Sequence, residues 1–190
     1  MKEQLQKDFE NTIRNLSLSQ KDIEIKKFSL DNFINKGFPN RREEDWKFSD
    51  LNQIINKNIG ELSFYNDYTS TNKVDTSVFV DGLVHNKIVF INGRIEKIDF
   101  DYEKKDQIEI IDQSEIINKF ENNNSLSDLN SAFTNKSFKI VVKKGYQLSK
   151  PLIIYHTTNS KIWSKNINLR LDFELQEDSS LRLIDLFNDT

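Results

Sequence analysis

The segment KIVFINGRIEKIDF, residues 87–100, marks the point at which the sequence changes from helical to β patterning. It begins with a short apolar run that ends at Asn92-Gly93, a dipeptide typical of two-residue hairpin turns. Alternation of apolar and polar residues resumes at Arg94. The segment therefore predicts a β-hairpin, which places the chain in the α+β class because the residues before it have a helical pattern.

Three helices are predicted upstream of the hairpin. Apolar residues recur every three or four positions over residues 5–16, which is the spacing of one helical face. A second helix is predicted over residues 21–36, where Gly37 suits the position after a helix and Pro39 prevents continuation. Ser49 is the expected N-cap of a third, short helix.

Further strands and short helical turns are predicted downstream of the hairpin. The strand pattern is clearest in INLRLDFEL, residues 167–175, in which apolar and polar side chains alternate. Residues 114–120 and 127–133 are each compatible with one or two helical turns. The sequence thus predicts three consecutive regions: a helical region at 1–60, a mixed connecting region at 61–136, and a β region at 137–190.

Composition and charge exclude several classes of function. The 190 residues carry 27 basic and 30 acidic side chains, and their mixed distribution leaves no basic stripe for nucleic acid. No apolar run is long enough to cross a bilayer, and the first residues lack the apolar segment of a signal peptide. The chain has no cysteine, which excludes disulfides and thiolate ligands of its own. We therefore expect a cytoplasmic protein without a nucleic-acid or membrane partner.

The most unusual stretch is GFPNRREEDWKFSDL, residues 37–51, which combines adjacent arginines, three consecutive carboxylates and a tryptophan. It resembles the N-terminal motif of the SufD family, subunits of the SUF machinery that assembles iron–sulfur clusters. Phe38, Asn40 and Phe48-Ser49 depart mildly from that motif. The residues that match it as they stand are Gly37, Pro39, Arg41, Arg42, Glu44, Asp45, Trp46 and Lys47.

Two further stretches extend the resemblance over most of the chain. KIVFINGRI, residues 87–95, is similar to the family's strand that ends in Asn-Gly-Arg. Residues 129–156 are similar to its passage from a Leu-Asn-x-Ala-Phe turn into a Gly-x-x-Leu-x-x-Pro strand pair, although Lys136-Ser137 replaces a common Asp-Gly. The three stretches occur in the family's order and spacing.

The resemblance implies a fold and a role. The fold would be an N-terminal helical region followed by the first coils of a right-handed parallel β-helix, truncated at Thr190, with self-association through the exposed β-helix end. The role would be that of a non-enzymatic scaffold subunit acting with a SufB-like subunit and a SufC-like ATPase. The cluster would be handled by the full complex rather than by a cofactor bound to this chain, and the residues that handle it would lie beyond Thr190.

The carboxylates and Trp46 of the motif each have two interpretations. Glu43, Glu44 and Asp45 are consecutive, which does not give the facing pair that glycoside hydrolysis needs. The preferred interpretation is therefore charge complementarity with the two arginines and with the N-terminus of a following helix. Trp46 is either an interface residue or a structural joint with an arginine stem on its face. We favour the joint, because a large aromatic residue buries area whatever the function.

The remaining candidates are two histidines and one alternative function. His85 and His156 lie in different strands without metal-ligand spacing, so neither is predicted to be catalytic or metal-binding. The alternative function is a β-helical carbohydrate-active enzyme or carbohydrate-binding module, for which Asp172 and Glu174 would be the candidate acids. A free-standing interaction module is a third possibility. No catalytic, cofactor-binding or metal-binding residue is therefore predicted, and the motif is expected to be structural.

Overall fold

The computed structural model describes residues 2–16, 18–58, 62–65, 73–113, 124–159, 162 and 165–189. These residues divide into two compact units that interleave along the chain. The first unit, here called the helical unit, lies within residues 1–66, 114–135 and 164–170. The second, here called the β unit, lies within residues 67–113, 136–163 and 171–190. The domain boundaries predicted at residues 60 and 136 stay predictions.

The described part of the helical unit contains four α-helices: α1 (Lys2–Arg14), α2 (Gln20–Lys36), α3 (Leu51–Asn58) and α4 (Ser125–Phe133). The predicted second helix is confirmed as α2. Its first turn is closed by a capping box. The backbone N–H of Asp22 donates to the Ser19 hydroxyl, and the backbone N–H of Ser19 donates to the Asp22 carboxylate. At its end Gly37 has a φ of 73° and donates its N–H to the Phe33 carbonyl.

The helices α3 and α4 differ in how well the sequence predicted them. The cap of α3 is displaced by one residue from the prediction, because the Asp50 carboxylate, not Ser49, accepts from the Gln53 N–H at 3.0 Å. The helical turn predicted at 127–133 is confirmed within α4. The other predicted turn, at 114–120, lies outside the described residues.

Phe133, at the end of α4, lies at the centre of the core of the helical unit. Its ring meets Phe9 of α1 edge to face with 6.1 Å between centroids, and it stacks on Phe64 at 3.6 Å. Apolar residues of α1 and α2 at helical spacing complete this core, whereas Phe28 of α2 is 67% exposed. Its buried members are Leu5, Phe9, Leu30, Phe33, Phe38, Ile55, Phe64, Leu129, Ala132 and Phe133.

The strands form two sheets, in the orders β2-β1-β5-β7 and β3-β4-β6. Their bounds are β1 (Asn86–Ile91), β2 (Arg94–Asp99), β3 (Ile108–Gln113), β4 (Lys136–Val142), β5 (Leu152–Thr158), β6 (Leu169–Leu175) and β7 (Leu183–Asp189). The predicted hairpin is confirmed as the antiparallel pair β1–β2. Asn92 and Gly93 at its turn both have positive φ, 52° and 79°, as a type I′ turn requires.

The parallel β-helix expected from the resemblance is wrong. The described strands lie in two small mixed sheets of four and three strands, and they do not stack as a solenoid. β5 pairs in parallel with β1 and β7, but β1–β2 and β3–β4 are antiparallel. A tight hairpin reverses the chain, whereas a solenoid requires each coil to continue in the same direction. The described residues therefore form a small α+β fold, without the β-helix end through which self-association was expected.

The central strand β5 is buried on both faces. On one side Phe90 of the neighbouring strand β1 packs against Phe138 of β4, with ring centroids 5.7 Å apart. On the other side Ile153 and Tyr155 pack with Val89 and with partly buried residues before β1. No helix among the described residues is long and apolar enough to cross a membrane.

Candidate functional site

Six of the eight residues that resemble the SufD motif, from Arg41 to Lys47, lie in a surface loop of the helical unit. We call residues 40–48 the Arg-Trp loop. It follows the end of α2 and is anchored by Phe38, which is buried and packs edge to face on Phe33 at 5.0 Å. A short 3₁₀ turn, Glu44–Trp46, lies at its centre. The buried anchor fixes where the loop begins and leaves the residues after it at the surface.

Asn40 organises the backbone of the Arg-Trp loop. Its side-chain oxygen accepts from the Arg42 N–H at 3.0 Å, and its own N–H donates to the Glu43 carboxylate at 3.1 Å. The Glu43 carbonyl then accepts from the Trp46 N–H at 2.9 Å. Sequence reasoning noted Asn40 only as a departure from the motif, although asparagine after proline is a recognisable turn signal.

The charged side chains of the loop are only partly paired. Glu44 forms an ion pair with Lys47, three residues later. Arg41, Arg42 and Asp45 are exposed and have no ion-pair partner in the part of the chain that the structure describes. The predicted charge complementarity between the acids and the two arginines is therefore not formed within these residues.

The aromatic side chains of the loop differ in burial. Trp46 is half-buried, whereas the Phe48 side chain is 89% exposed. The Lys47 ammonium lies 5.2 Å from the centroid of the Phe48 ring, within cation–π range. Within the described ranges no arginine stacks on Trp46, so the arginine-backed joint proposed for this tryptophan is not observed there.

The chain matches no protein-family model and has no significant similarity to a curated protein. The likeness to SufD accordingly rests on the residues of the three motifs.

His85 is a structural residue of the β unit. It is almost fully buried, with its Nδ1 2.5 Å from the Leu83 carbonyl and its Nε2 2.7 Å from the Tyr155 hydroxyl. A carbonyl only accepts, so Nδ1 donates to Leu83, and Nε2 is the partner of the Tyr155 hydroxyl. The tyrosine oxygen in turn accepts from the Val80 N–H at 3.0 Å. Both ring nitrogens therefore form hydrogen bonds that link the segment before β1 to β5.

His156 lies on the opposite face of the same strand from Tyr155, so the structure does not bring the two histidines together. Its Nε2 is 2.8 Å from the Asp185 carboxylate, and its ring stacks between Phe90 and Phe187 at 5.3 and 4.5 Å. Burial lowers the pKa of His156 below its usual value, and the Asp185 charge opposes that shift. This arrangement supports packing between β1, β5 and β7.

The acids of the alternative enzyme hypothesis also have local partners. Glu174 of β6 forms an ion pair with Lys139 of β4, and the hydrogen bond and charge of that lysine lower the pKa of the glutamate. Asp172 is half-buried on the same strand. Among the described residues, no group of three or more His, Asp or Glu is arranged to hold a metal ion.

The sequence did not single out two buried charged residues, Lys26 in the helical unit and Glu103 in the β unit. Lys26 lies within a helical pattern of alternating charges that is typical of an exposed face. Glu103 lies in the polar segment that follows β2. Neither position carries a local pattern that distinguishes it from a solvated side chain, because the groups that bind them are distant in sequence.

Proposed function

We propose that this protein is a non-enzymatic scaffold subunit of a SUF-type iron–sulfur cluster assembly complex in the cytoplasm. It acts with a SufB-like subunit and a SufC-like ATPase. Its task is to hold protein partners, and the nascent cluster is cargo of the complex rather than a cofactor of this chain. The absence of cysteine from the 190 residues fits that division, because thiolates are the usual cluster ligands.

The observation that carries the proposal is the surface position of the Arg-Trp loop. Eight residues match the SufD motif, and those with charged side chains lie on an exposed loop rather than in the core. The loop presents two arginines and a phenylalanine to solvent, and arginine and aromatic residues are enriched at protein interfaces. These exposed side chains are available to contact a partner subunit.

Co-purification of a three-component complex tests the proposed function. The chain, at the full length that its gene encodes, is tagged and co-expressed with the SufB-like and SufC-like proteins of the same organism. We expect all three to elute together in size-exclusion chromatography in a fixed ratio. Elution of the tagged chain without either partner, when both partners are soluble in the same cells, would contradict the proposal.

A further inference from the structure

We infer that the edge of β7 that faces away from β5, here called the open edge, is a docking site for an extended segment of another protein. The segment adds to the sheet as a further strand and places an aromatic ring on Phe187. Backbone hydrogen bonds and apolar side chains at alternate positions would recognise it, as in other cases of strand addition. The inference goes beyond the proposed function and does not depend on it.

The backbone of β7 carries the first part of the inference. β7 is the last strand in the order β2-β1-β5-β7, so within the described part of the chain it pairs with β5 alone. The carbonyl of Arg182, next to β7, accepts from the Leu152 N–H of β5 at 2.8 Å. Backbone groups point to alternate sides along a strand, so those of Leu183, Asp185 and Phe187 point to the open edge. An added strand would form its hydrogen bonds with these groups.

The side chains of β7 do not protect the open edge. Edge strands commonly carry lysine, proline or a bulge, which discourage the pairing of further strands. The sequence of β7, LIDLFND, has neither lysine nor proline, and its register with β5 runs without a shift. Apolar side chains are exposed on both of its faces, with Leu183 and Phe187 on one face and Ile184 on the other. A further strand would therefore bury apolar surface on both faces.

A stack of three rings indicates what the added strand carries. Phe90, His156 and Phe187 occupy aligned positions on the adjacent strands β1, β5 and β7. Their rings are nearly parallel, with interplanar angles of 7° and 9° and centroid distances of 5.3 and 4.5 Å. Phe90 is buried, whereas Phe187 is 74% exposed, so the stack ends at the open edge. An aromatic residue in the same register of the next strand would continue it, because neighbouring strands lie about 4.8 Å apart.

A strand of another protein suits the open edge better than a second copy or a nucleic acid does. In an antiparallel pair of two β7 strands centred on Leu186, Phe187 would face Asp185 of the second copy, and no ring would continue the stack. A nucleobase also stacks on phenylalanine, but the Asp185 carboxylate lies on the same face of β7 and would repel the phosphates.

Peptide binding measured by fluorescence anisotropy tests this inference. The probe is a labelled peptide as long as β7, in which valine and threonine alternate around one central phenylalanine, and the protein is the full-length chain that the gene encodes. We expect saturable binding that becomes weaker by about tenfold or more when serine replaces the phenylalanine of the peptide, and likewise in Phe187→Ser. Ile98→Ser, at an exposed apolar position on β2 at the opposite edge of the sheet, should leave binding within about twofold.

Two N-methylated peptides distinguish strand addition from ring stacking alone. Each is methylated on one of the two alternate sets of backbone amides. Only one set faces β7 in an added strand, so one peptide should lose binding and the other should retain it. Equal binding of both peptides would overturn the strand addition.

The other outcomes also separate the possibilities. Binding that needs the phenylalanine of the peptide, Phe187 and one set of amides supports the docking site, provided that the variants are folded by circular dichroism. A full-length chain that binds no peptide overturns this inference and leaves the proposed function standing, because co-purification tests that function separately. Self-association that Phe187→Ser abolishes would assign the open edge to a second copy, and binding of single-stranded DNA without the peptide would assign it to a nucleic acid. Either result overturns the inference.

Discussion

The Tyr146 hydroxyl donates to the Glu103 carboxylate across 2.7 Å and so joins the segment after β2 to the loop between β4 and β5. Glu103 is almost fully buried and accepts four more hydrogen bonds, from the Asn86 side chain, from the N–H and hydroxyl of Ser149, and from the Lys150 N–H. Burial alone would raise the pKa of Glu103, but these donors hold it at about 2.

Acid is therefore expected to weaken the β unit through Glu103. A folded-state pKa of about 2, against 4.5 for the free side chain, means that the stabilisation is present above pH 4.5 and is lost as the pH falls towards 2. Glu103→Gln should lower the free energy of unfolding by about 1–3 kcal/mol at pH 7. The glutamine NH2 group would then face hydrogen-bond donors that now bind a carboxylate oxygen. Urea unfolding at pH 7 and pH 3 measures both effects, and the loss caused by the substitution should shrink at pH 3.

Glu10→Gln is the matched control for Glu103→Gln. Glu10 pairs with Arg14 on the exposed face of α1, so its replacement should change the free energy of unfolding by no more than about 0.5 kcal/mol. Equal effects of the two substitutions would show that the buried hydrogen bonds of Glu103 do not stabilise the fold.

Lys26 is another buried charged residue, and its effect on stability is expected to have the same sign as that of Glu103 but to fall in an alkaline pH range. Its side chain is 1% exposed, and its ammonium donates to the carbonyls of Ser131 and Thr134 at the end of α4, at 3.3 and 2.5 Å. Burial lowers the pKa of Lys26 from 10.5 to about 8, although the charge of Asp22 opposes the shift. Between these two pH values the unfolded chain binds more protons than the folded chain, so stability contributed by this residue rises with pH.

Lys26→Met should remove this rise. The difference in unfolding free energy between wild type and variant is expected to change, in favour of wild type, by on the order of 3 kcal/mol between pH 8 and pH 10.5. Chemical denaturation across that range measures the difference, and Lys27→Met, at an exposed position of the same helix, should follow the wild-type curve. A constant difference between wild type and Lys26→Met would show that Lys26 has an ordinary pKa in the folded state.

Phe133 should be the most sensitive aromatic position of the helical unit. Its ring contacts Phe9 and Phe64, so Phe133→Ala leaves a cavity between α1 and α4 and should cost about 3–5 kcal/mol. Phe28→Ala, at a side chain that is 67% exposed, should cost less than about 0.5 kcal/mol. Urea unfolding followed by far-ultraviolet circular dichroism compares them, and similar costs would argue against the observed core.

The parts of the fold that the sequence predicted correctly depend on neighbouring residues. Asn92-Gly93 sets a hairpin because both residues accept positive φ, and Gly37 ends α2 for the same reason. Sheet order was not predictable in this way. β1 pairs with β5, a strand far along the chain, and no local pattern states which distant strand will be the neighbour. The resemblance supplied a β-helix instead, and that prediction was wrong.

The candidate site was also predicted only in part from the sequence. The motif was found because its residue types are unusual together, but its exposure was not predicted, and Trp46 was interpreted as a buried joint. The burial of a side chain depends on which distant segments of the chain pack over it. The spacing of residues 40–48 gives no information about that packing. Asn40 was a missed signal, since its turn chemistry was already visible in the sequence.

Native mass spectrometry of the co-expressed proteins tests the central claim most directly. The claim is that this chain is a scaffold subunit of a SUF-type complex. We expect one dominant species whose mass includes this chain, the SufB-like subunit and the SufC-like ATPase. Spectra that contain this chain alone, beside an intact complex of the other two proteins, would contradict the account.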